Sequence, residues 1–368
     1  MHPSLSRLLS KLCTVRVATT CCYLSISPRL NSINTRSGGA LSRYITTMSK
    51  PKVYITRRVP EVGPRLLGES CDVTQWNKDD PVPRAELLKQ VVGKDALFCL
   101  LTEKIDDEVL DAAGPKLKVV ATMSVGYDHV DVEACKKRNI SVGFTAGVLT
   151  NATAELTVTL LLATSRRLRE GIRAVENGTW GTWKPLWLCG PGLDGATVGI
   201  VGFGRIGFAV AKRLVPFGIE KILYSDAIRN PAEGEVGAEL APIDEVLSRS
   251  DYIIACCALT PETKGMFNKS AFSKMKKNAI FINTSRGGVV NQEDLYEALK
   301  SRTILAAGLD VTVPEPLPTD SPLLSLDNCT VLPHIGSATD KSRAGMSELT
   351  ARNILTGLKG EPMPCQVK

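Results

Sequence analysis

Four short stretches of this chain carry residue types that do chemistry, and they follow one another in order. The first is Gly202-Phe203-Gly204-Arg205-Ile206-Gly207, set between an apolar run, Thr197 to Val201, and a stretch with apolar residues at helical spacing, Ile206, Val210 and Leu214. Each glycine has a separate use: Gly202 turns tightly, Gly204 lets backbone approach a pyrophosphate, and Gly207 lets helix pack close on strand. The helix start then offers unpaired N–H groups and a positive dipole end to the phosphates. A second apolar run, Ile222 to Tyr224, leads to Asp226, nineteen positions after Gly207, where a carboxylate accepts hydrogen bonds from an adenosine ribose. A glycine turn by itself is more often a surface turn. With strand, helix and acid at these distances it predicts a dinucleotide site.

The other three stretches each sit just past an expected strand, at the carboxyl edge where open α/β sheets bind ligands. Asn283-Thr284-Ser285-Arg286-Gly287-Gly288 puts an arginine there, and a guanidinium can hold a planar carboxylate bidentately and polarise a neighbouring carbonyl. Gly308-Leu309-Asp310-Val311-Thr312-Val313-Pro314-Glu315-Pro316 supplies one acid at a strand end, near the expected nicotinamide, and one in a Pro-rigidified loop. Pro333-His334-Ile335-Gly336-Ser337-Ala338-Thr339 supplies an imidazole. Taken singly, Arg286 reads better as a surface arginine in a turn, and Asp310 and Glu315 as a cap or a solvated acid. Beyond residue 50 the only histidines are His129 and His334, so any mechanism needing an imidazole has two candidates. His129, at an expected helix start, is more simply structural.

The elements that must position these residues alternate regularly. Strands are expected at Lys52–Thr56, Cys71–Gln75, Ala96–Leu101, Leu117–Met123 and Ile140–Phe144, with helices at Ala85–Val92, Asp106–Ala113 and Asp131–Arg138. This first block reads as a doubly wound α/β unit without a glycine fingerprint. Asn151–Arg167 reads as a buried helix joining two domains, with Asn151 as its cap. Trp180 to Trp187 gathers three of the four tryptophans around Gly181 and Pro185, and reads as a packed loop serving a dimer contact. After the glycine turn, strands are expected at Tyr252–Cys256, Ala279–Asn283, Leu305–Leu309 and Cys329–Leu332, with helices at Gln292–Lys300 and Ser342–Leu358. The fold class is therefore α/β, with two doubly wound, Rossmann-like parallel-sheet domains and the active site in the cleft between them.

Composition narrows the function classes. The formal charge of +7 comes entirely from residues 1–50, which hold seven Lys or Arg and no acid, so the remainder is neutral and a nucleic-acid partner loses its support. The acid-free, Ser- and Thr-rich leader with its basic amphipathic segment has the composition of a mitochondrial presequence. That predicts the mitochondrial matrix, with a second start at Met48 as a cytoplasmic route. Arg43-Tyr44 resembles a cleavage site with arginine at minus two. No run is long enough to span a bilayer. Eleven cysteines are many, but three lie in the leader and the other eight form neither a CxxC pair nor a His-bearing ligand set, so no metal site is expected.

As an ordered set, GFGRIG at 202–207, Asp226, NTSRGG at 283–288, GLDVTVPEP at 308–316 and PHIGSAT at 333–339 resembles the D-isomer-specific 2-hydroxyacid dehydrogenases. Within that family, TMSVGYDHVD at 122–131, WKPLWLCG at 183–190 and GEPMP at 360–364 are similar to members that reduce glyoxylate and hydroxypyruvate. The likeness runs from about residue 51 to 364. It implies hydride transfer between NAD(P)H and a small 2-keto acid, yielding glycolate and D-glycerate in the reducing direction. His334 would be the general acid and base, Glu315 would orient it and stabilise the imidazolium, and Arg286 would bind the substrate carboxylate. Backbone N–H groups of Val125 and Gly126 would hold the same carboxylate, and Trp183 of a neighbouring subunit would close the pocket. Gly202, Gly204, Arg205, Ile206, Gly207, Asp226, Asp310, His334 and Gly336 would line the cofactor, with Asp310 fixing its carboxamide. The resemblance further implies a substrate domain over 51–148, completed by a C-terminal helix within 340–368, and a dinucleotide domain over 149–339.

Asp226 stands where NADPH-accepting relatives often carry a small residue and an arginine. It repels a 2′-phosphate, so NADH is favoured, while Arg229 leaves NADPH open. An NAD-sensing scaffold of the corepressor type shares the fold and catalytic residues, but such proteins carry long tails that this chain lacks. Phosphoglycerate dehydrogenases in their long forms carry a further C-terminal domain and need extra basic residues near the pocket, and formate dehydrogenases need Gln at Glu315.

Overall fold

The computed structural model describes residues 49–368, so the expectations placed on the leader lie outside the described residues. The first half is a run of βα units: β1 (Lys52–Ile55), α1 (Val62–Gly68), β2 (Asp72–Gln75), α2 (Arg84–Gln90), β3 (Ala96–Cys99), α3 (Asp107–Ala113), β4 (Val119–Thr122), α4 (Val132–Lys137) and β5 (Ser141–Gly143). The strands form one parallel sheet in the order β2-β1-β3-β4-β5. Helices cover both faces, so the central strands are buried without alternation, Ala96 to Cys99 and Val119 to Thr122 alike. Val53, Ile55 and Phe98 enter the core on one face, Tyr54 and Leu97 the core on the other.

The chain then enters α5 (Thr150–Ser165) and α6 (Leu168–Glu176). Asn151 does not cap α5: the helix starts one residue earlier, behind Leu149, and the Asn151 side chain instead accepts a hydrogen bond from Arg213 at 3.0 Å. The break between α5 and α6 falls at Arg167, whose φ of 54° lies in the left-handed region and ends the helical ladder. Ala154, Val158, Leu160 and Leu161 of α5 are buried against the second sheet. Residues 180–187 have no regular structure, and their tryptophans are not packed internally, since Trp180 is 64% and Trp183 82% exposed.

The second half comprises β6 (Thr197–Val201), α7 (Arg205–Leu214), β7 (Lys221–Ser225), β8 (Ala238–Leu240), α8 (Ile243–Arg249), β9 (Tyr252–Ala255), α9 (Lys269–Lys274), β10 (Ile280–Asn283), α10 (Gln292–Lys300), β11 (Ala306–Leu309), α11 (Pro322–Ser325), β12 (Cys329–Val331) and α12 (Asp340–Leu358). Its seven strands are parallel, in the order β12-β11-β10-β9-β6-β7-β8. The order reverses between β6 and β9, and a crevice opens at that switch point beyond their carboxyl ends.

Capped by Thr339, whose hydroxyl accepts from the Ser342 N–H, α12 returns to the first sheet and buries Met346, Ala351 and Ile354 in the same core as Val53 and Ile55. Asn353 then ties the chain end down: its amide donates to the Phe144 carbonyl at 2.9 Å and its oxygen accepts from the Cys365 N–H at 3.0 Å. Gln366 pairs antiparallel with Gly143, and Val367 donates to Val142 at 2.8 Å. This short tail covers the β5 edge, which would otherwise leave strand donors and acceptors unpaired. Two parallel-sheet α/β domains result, as the residue pattern predicts.

Candidate active site

The glycine turn leaves β6 and enters α7 at the crevice. Gly202 has φ +90°, and a Cβ on it would lie 2.5 Å from the Cys257 nitrogen on the neighbouring β9 loop. A Cβ on Gly207 would lie 2.2 Å from the Gly202 carbonyl oxygen, whereas one on Gly204 would meet nothing within 4 Å. Two glycines are thus required by packing, and the third faces open space above the helix start. Gly204 occupies the N-cap of α7 and has no side chain to donate or accept, so first-turn N–H groups stay available to an anion. Ile206 packs against the cores of both sheets and sets this turn at their junction, beside the exposed Arg205.

Asp226 ends β7 against the same turn. Its carboxylate accepts from the Phe203 N–H at 2.6 Å and the Ile228 N–H at 3.2 Å, which locks it facing the cradle. Arg229 turns away to Glu233, with its Nε 2.7 Å from Oε1, and Glu233 also accepts from the Tyr224 hydroxyl. These residues fit an adenine dinucleotide: an open backbone cradle for the pyrophosphate, and a fixed carboxylate where a ribose would lie.

At the other end of the crevice, the loops after β10, β11 and β12 converge. His334 takes φ 54°, a left-handed conformation uncommon for a residue with a side chain. Asp310 holds it there, its two oxygens accepting from the Ile335 and Gly336 N–H groups at 2.8 Å each. Burial pushes the Asp310 carboxyl up, against the pull of these N–H groups and of His334. The His334 Nδ1 lies 2.8 Å from Glu315 Oε2, and Glu315 Oε1 accepts from the Thr312 N–H at 3.0 Å. Burial alone would raise the Glu315 carboxyl, but the hydrogen bond and charge of His334 outweigh it and hold it below its usual range. With Nδ1 taken by Glu315, Nε2 is the imidazole atom left for a reacting group. Gln292 steadies this loop with a pair of hydrogen bonds to Val313, at 2.9 and 3.1 Å. Nothing in its sequence context marks Gln292 for that task.

Opposite stands the loop after β4. Neither the Val125 nor the Gly126 N–H finds an acceptor among the described residues. Arg286 reaches across from the loop after β10, so close that a Cβ on Gly126 would lie 1.9 Å from its Nη2. Its Nη1 donates to the Ser285 carbonyl at 2.9 Å and its Nε to Asp128 Oδ1 at 3.0 Å, which leaves Nη2 beside the two free backbone donors. Asp128 therefore occupies Nε, and the Nη2 end of the guanidinium faces Gly126. Burial would raise the Asp128 carboxyl, and the Arg286 charge and hydrogen bond hold it low instead.

His129 lies outside the catalytic cluster. Its Nε2 is 2.9 Å from the Thr122 hydroxyl, which meets the Ser124 hydroxyl at 2.7 Å, and Ser124 donates to the Gly126 carbonyl at 2.7 Å. Burial lowers its pKa to about 4, so it stays neutral and braces the turn that carries Val125 and Gly126. Trp183 is 82% exposed on its loop.

Known proteins share much of this chain's sequence and fold. Residues 158–336 match the model for the NAD-binding domain of D-isomer-specific 2-hydroxyacid dehydrogenases. The human glyoxylate reductase/hydroxypyruvate reductase is 55% identical over 320 residues, covering 86% of this chain and 98% of the human one. A crystal structure from Thermus thermophilus superposes with a TM-score of 0.80 at 42% identity, over 86% of this chain and all (100%) of that one. An NADPH-dependent glyoxylate/hydroxypyruvate reductase from Sinorhizobium meliloti, solved with NADP and malonate, superposes with a TM-score of 0.75 at 29% identity, over 87% of this chain and 97% of that one. The cradle, the imidazole and carboxylate pair, and relatives matching along nearly their whole length lead to one conclusion: this chain belongs to the D-isomer-specific 2-hydroxyacid dehydrogenase family.

Proposed function

We propose that this protein reduces glyoxylate to glycolate and hydroxypyruvate to D-glycerate. The observation that carries the reading is the meeting of an anion seat, Arg286 Nη2 with the Val125 and Gly126 N–H groups, and a carboxylate-oriented imidazole in one cleft. The seat takes the substrate carboxylate and sets the adjacent carbonyl beside the guanidinium, which stabilises the negative charge growing on its oxygen. His334 Nε2 delivers the proton to that oxygen, while Glu315 on Nδ1 stabilises the imidazolium before transfer and fixes the ring. When bound, the dinucleotide supplies the hydride. Gly202, Gly204, Arg205, Ile206, Gly207 and Asp226 would hold its adenosine end and pyrophosphate, and Asp310, His334 and Gly336 would hold its nicotinamide end. In this reading residues 51–148 with 340–368 form the substrate domain, and 149–339 the dinucleotide domain.

NADH is the preferred form. Asp226 would face the ribose with its charge, and the nearby cation that would welcome a 2′-phosphate, Arg229, is paired with Glu233. The exposed tryptophan loop supports a homodimer in which Trp183 of each copy reaches the other's pocket. The leader's composition supports mitochondrial import, with synthesis from Met48 giving a cytoplasmic form.

Initial rates of the protein starting at Met48, with glyoxylate and hydroxypyruvate and with NADH against NADPH, test this reading. Turnover with a large NADH preference is expected. Preference for NADPH would overturn the role of Asp226, and tight NADH binding without turnover would overturn the reductase in favour of an NAD-sensing scaffold.

A further inference from the structure

Asp128 and Arg286 stand 158 positions apart and come from different sheets, yet they meet as a salt bridge with Arg286 Nε 3.0 Å from Asp128 Oδ1. The pair is largely shielded, with side-chain exposures of 21% for the arginine and 35% for the aspartate. Shielding matters, because a fully solvated pair would contribute little and leave the arginine free to sample rotamers. The Ser285 carbonyl holds the second donor group of the same guanidinium at 2.9 Å, so its plane is fixed at two edges. The third edge, Nη2, lies against Gly126, beside the two backbone N–H groups without acceptors.

We propose that Asp128 is the positioning residue of the substrate seat: it consumes Nε, fixes the guanidinium plane, and leaves Nη2 aimed with the Val125 and Gly126 N–H groups at a carboxylate. The inference rests on the reductase reading of the site and deepens it. Without Asp128, a long, flexible side chain would have to be ordered by the substrate itself. The same contact ties the loop after β4 to the loop after β10, so the two halves of the seat keep their spacing before substrate arrives. A carboxylate there also offsets the arginine's charge, which matches the seat to a single carboxylate rather than to a doubly charged phosphate group.

The test compares Asp128→Ala and Asp128→Asn with the unaltered protein, measuring kcat and KM for hydroxypyruvate and NADH affinity by fluorescence quenching. For Asp128→Ala, KM should rise about tenfold or more with a smaller fall in kcat, because a misaimed group costs binding first. Asp128→Asn keeps an oxygen acceptor for Nε without the charge and should recover most of the loss, to within about threefold of the unaltered KM. NADH affinity should stay unchanged in both, which shows the variants folded. If Asp128→Ala does not fold, Asp128→Leu, which fills a similar space but accepts no hydrogen bond, takes its place with the same expected rise in KM, and an unchanged KM in it overturns the proposal. An unchanged KM in Asp128→Ala overturns it, as does a lower KM, which would make Asp128 a competitor of substrate. Absence of turnover in the unaltered protein overturns the reductase reading and this proposal together, an outcome distinct from the others.

Discussion

The five-stranded and seven-stranded sheets both send loops over their carboxyl edges toward one cleft, but they equip those loops differently. The loop after β4 presents backbone, the free N–H groups of Val125 and Gly126, braced by the hydroxyl chain from His129. The loops after β6, β10, β11 and β12 present a glycine turn, Arg286, Asp310 with Glu315, and His334. In the proposed reading, one sheet supplies a rigid seat and the other supplies charge, proton and cofactor cradle. The same parallel architecture does both jobs because function resides in the loops the sheet carries, not in the sheet.

Substitutions on the two sides should therefore fail in different ways. The largest effect belongs to His334→Ala, which removes the proton donor: kcat should fall by about 10²- to 10⁴-fold, while NADH affinity by fluorescence quenching stays near that of the unaltered protein. Retained turnover would assign the proton transfer elsewhere. Arg286→Lys is next, because an ammonium cannot hold Asp128, the Ser285 carbonyl and substrate together; KM should rise roughly 10- to 100-fold, the cost of one charge-assisted hydrogen bond, with kcat also lowered. An unchanged KM would remove Arg286 from the seat.

The smallest effect lies on the bracing side and concerns stability rather than rate. His129 titrates near 4 when folded against an ordinary 6.5, so the unfolded chain binds the extra proton between those values. Stability from this group is full above about pH 6.5 and declines as pH falls toward 4, by up to about 3 kcal/mol. His129→Gln should flatten that part of the slope in denaturant titrations at pH 7 and pH 4.5. A slope equal to the unaltered protein's would show that other groups set the acid sensitivity.

Much of the fold was legible because each βα unit announces itself locally: a short apolar run, a turn signal, a helical stretch. The order of motifs likewise placed Arg286, Asp310 and His334 at strand ends and Glu315 in the loop that follows one, and the structure brings them together. What sequence reading missed has a common cause. Asn151 looked like a helix cap and is a tertiary partner of Arg213, and the break at Arg167 carries no glycine or proline to flag it. The last residues, pinned by Asn353 to the β5 edge, are too short and too proline-bearing to read as a strand. His129 reads from the sequence as structural, but its hydroxyl chain to Gly126 is invisible there.

The sequence by itself determined the two-domain α/β plan, the dinucleotide turn with its acid, and which side chains could do chemistry, because these depend on neighbours within a few residues. Only the tertiary structure decided how the chemistry is aimed. Glu315 lies on the Nδ1 side of His334, Asp310 fixes the turn beneath it, and Asp128 holds Arg286 from 158 positions away. Such pairings are set by where strands lie in their sheets, and no local propensity encodes them.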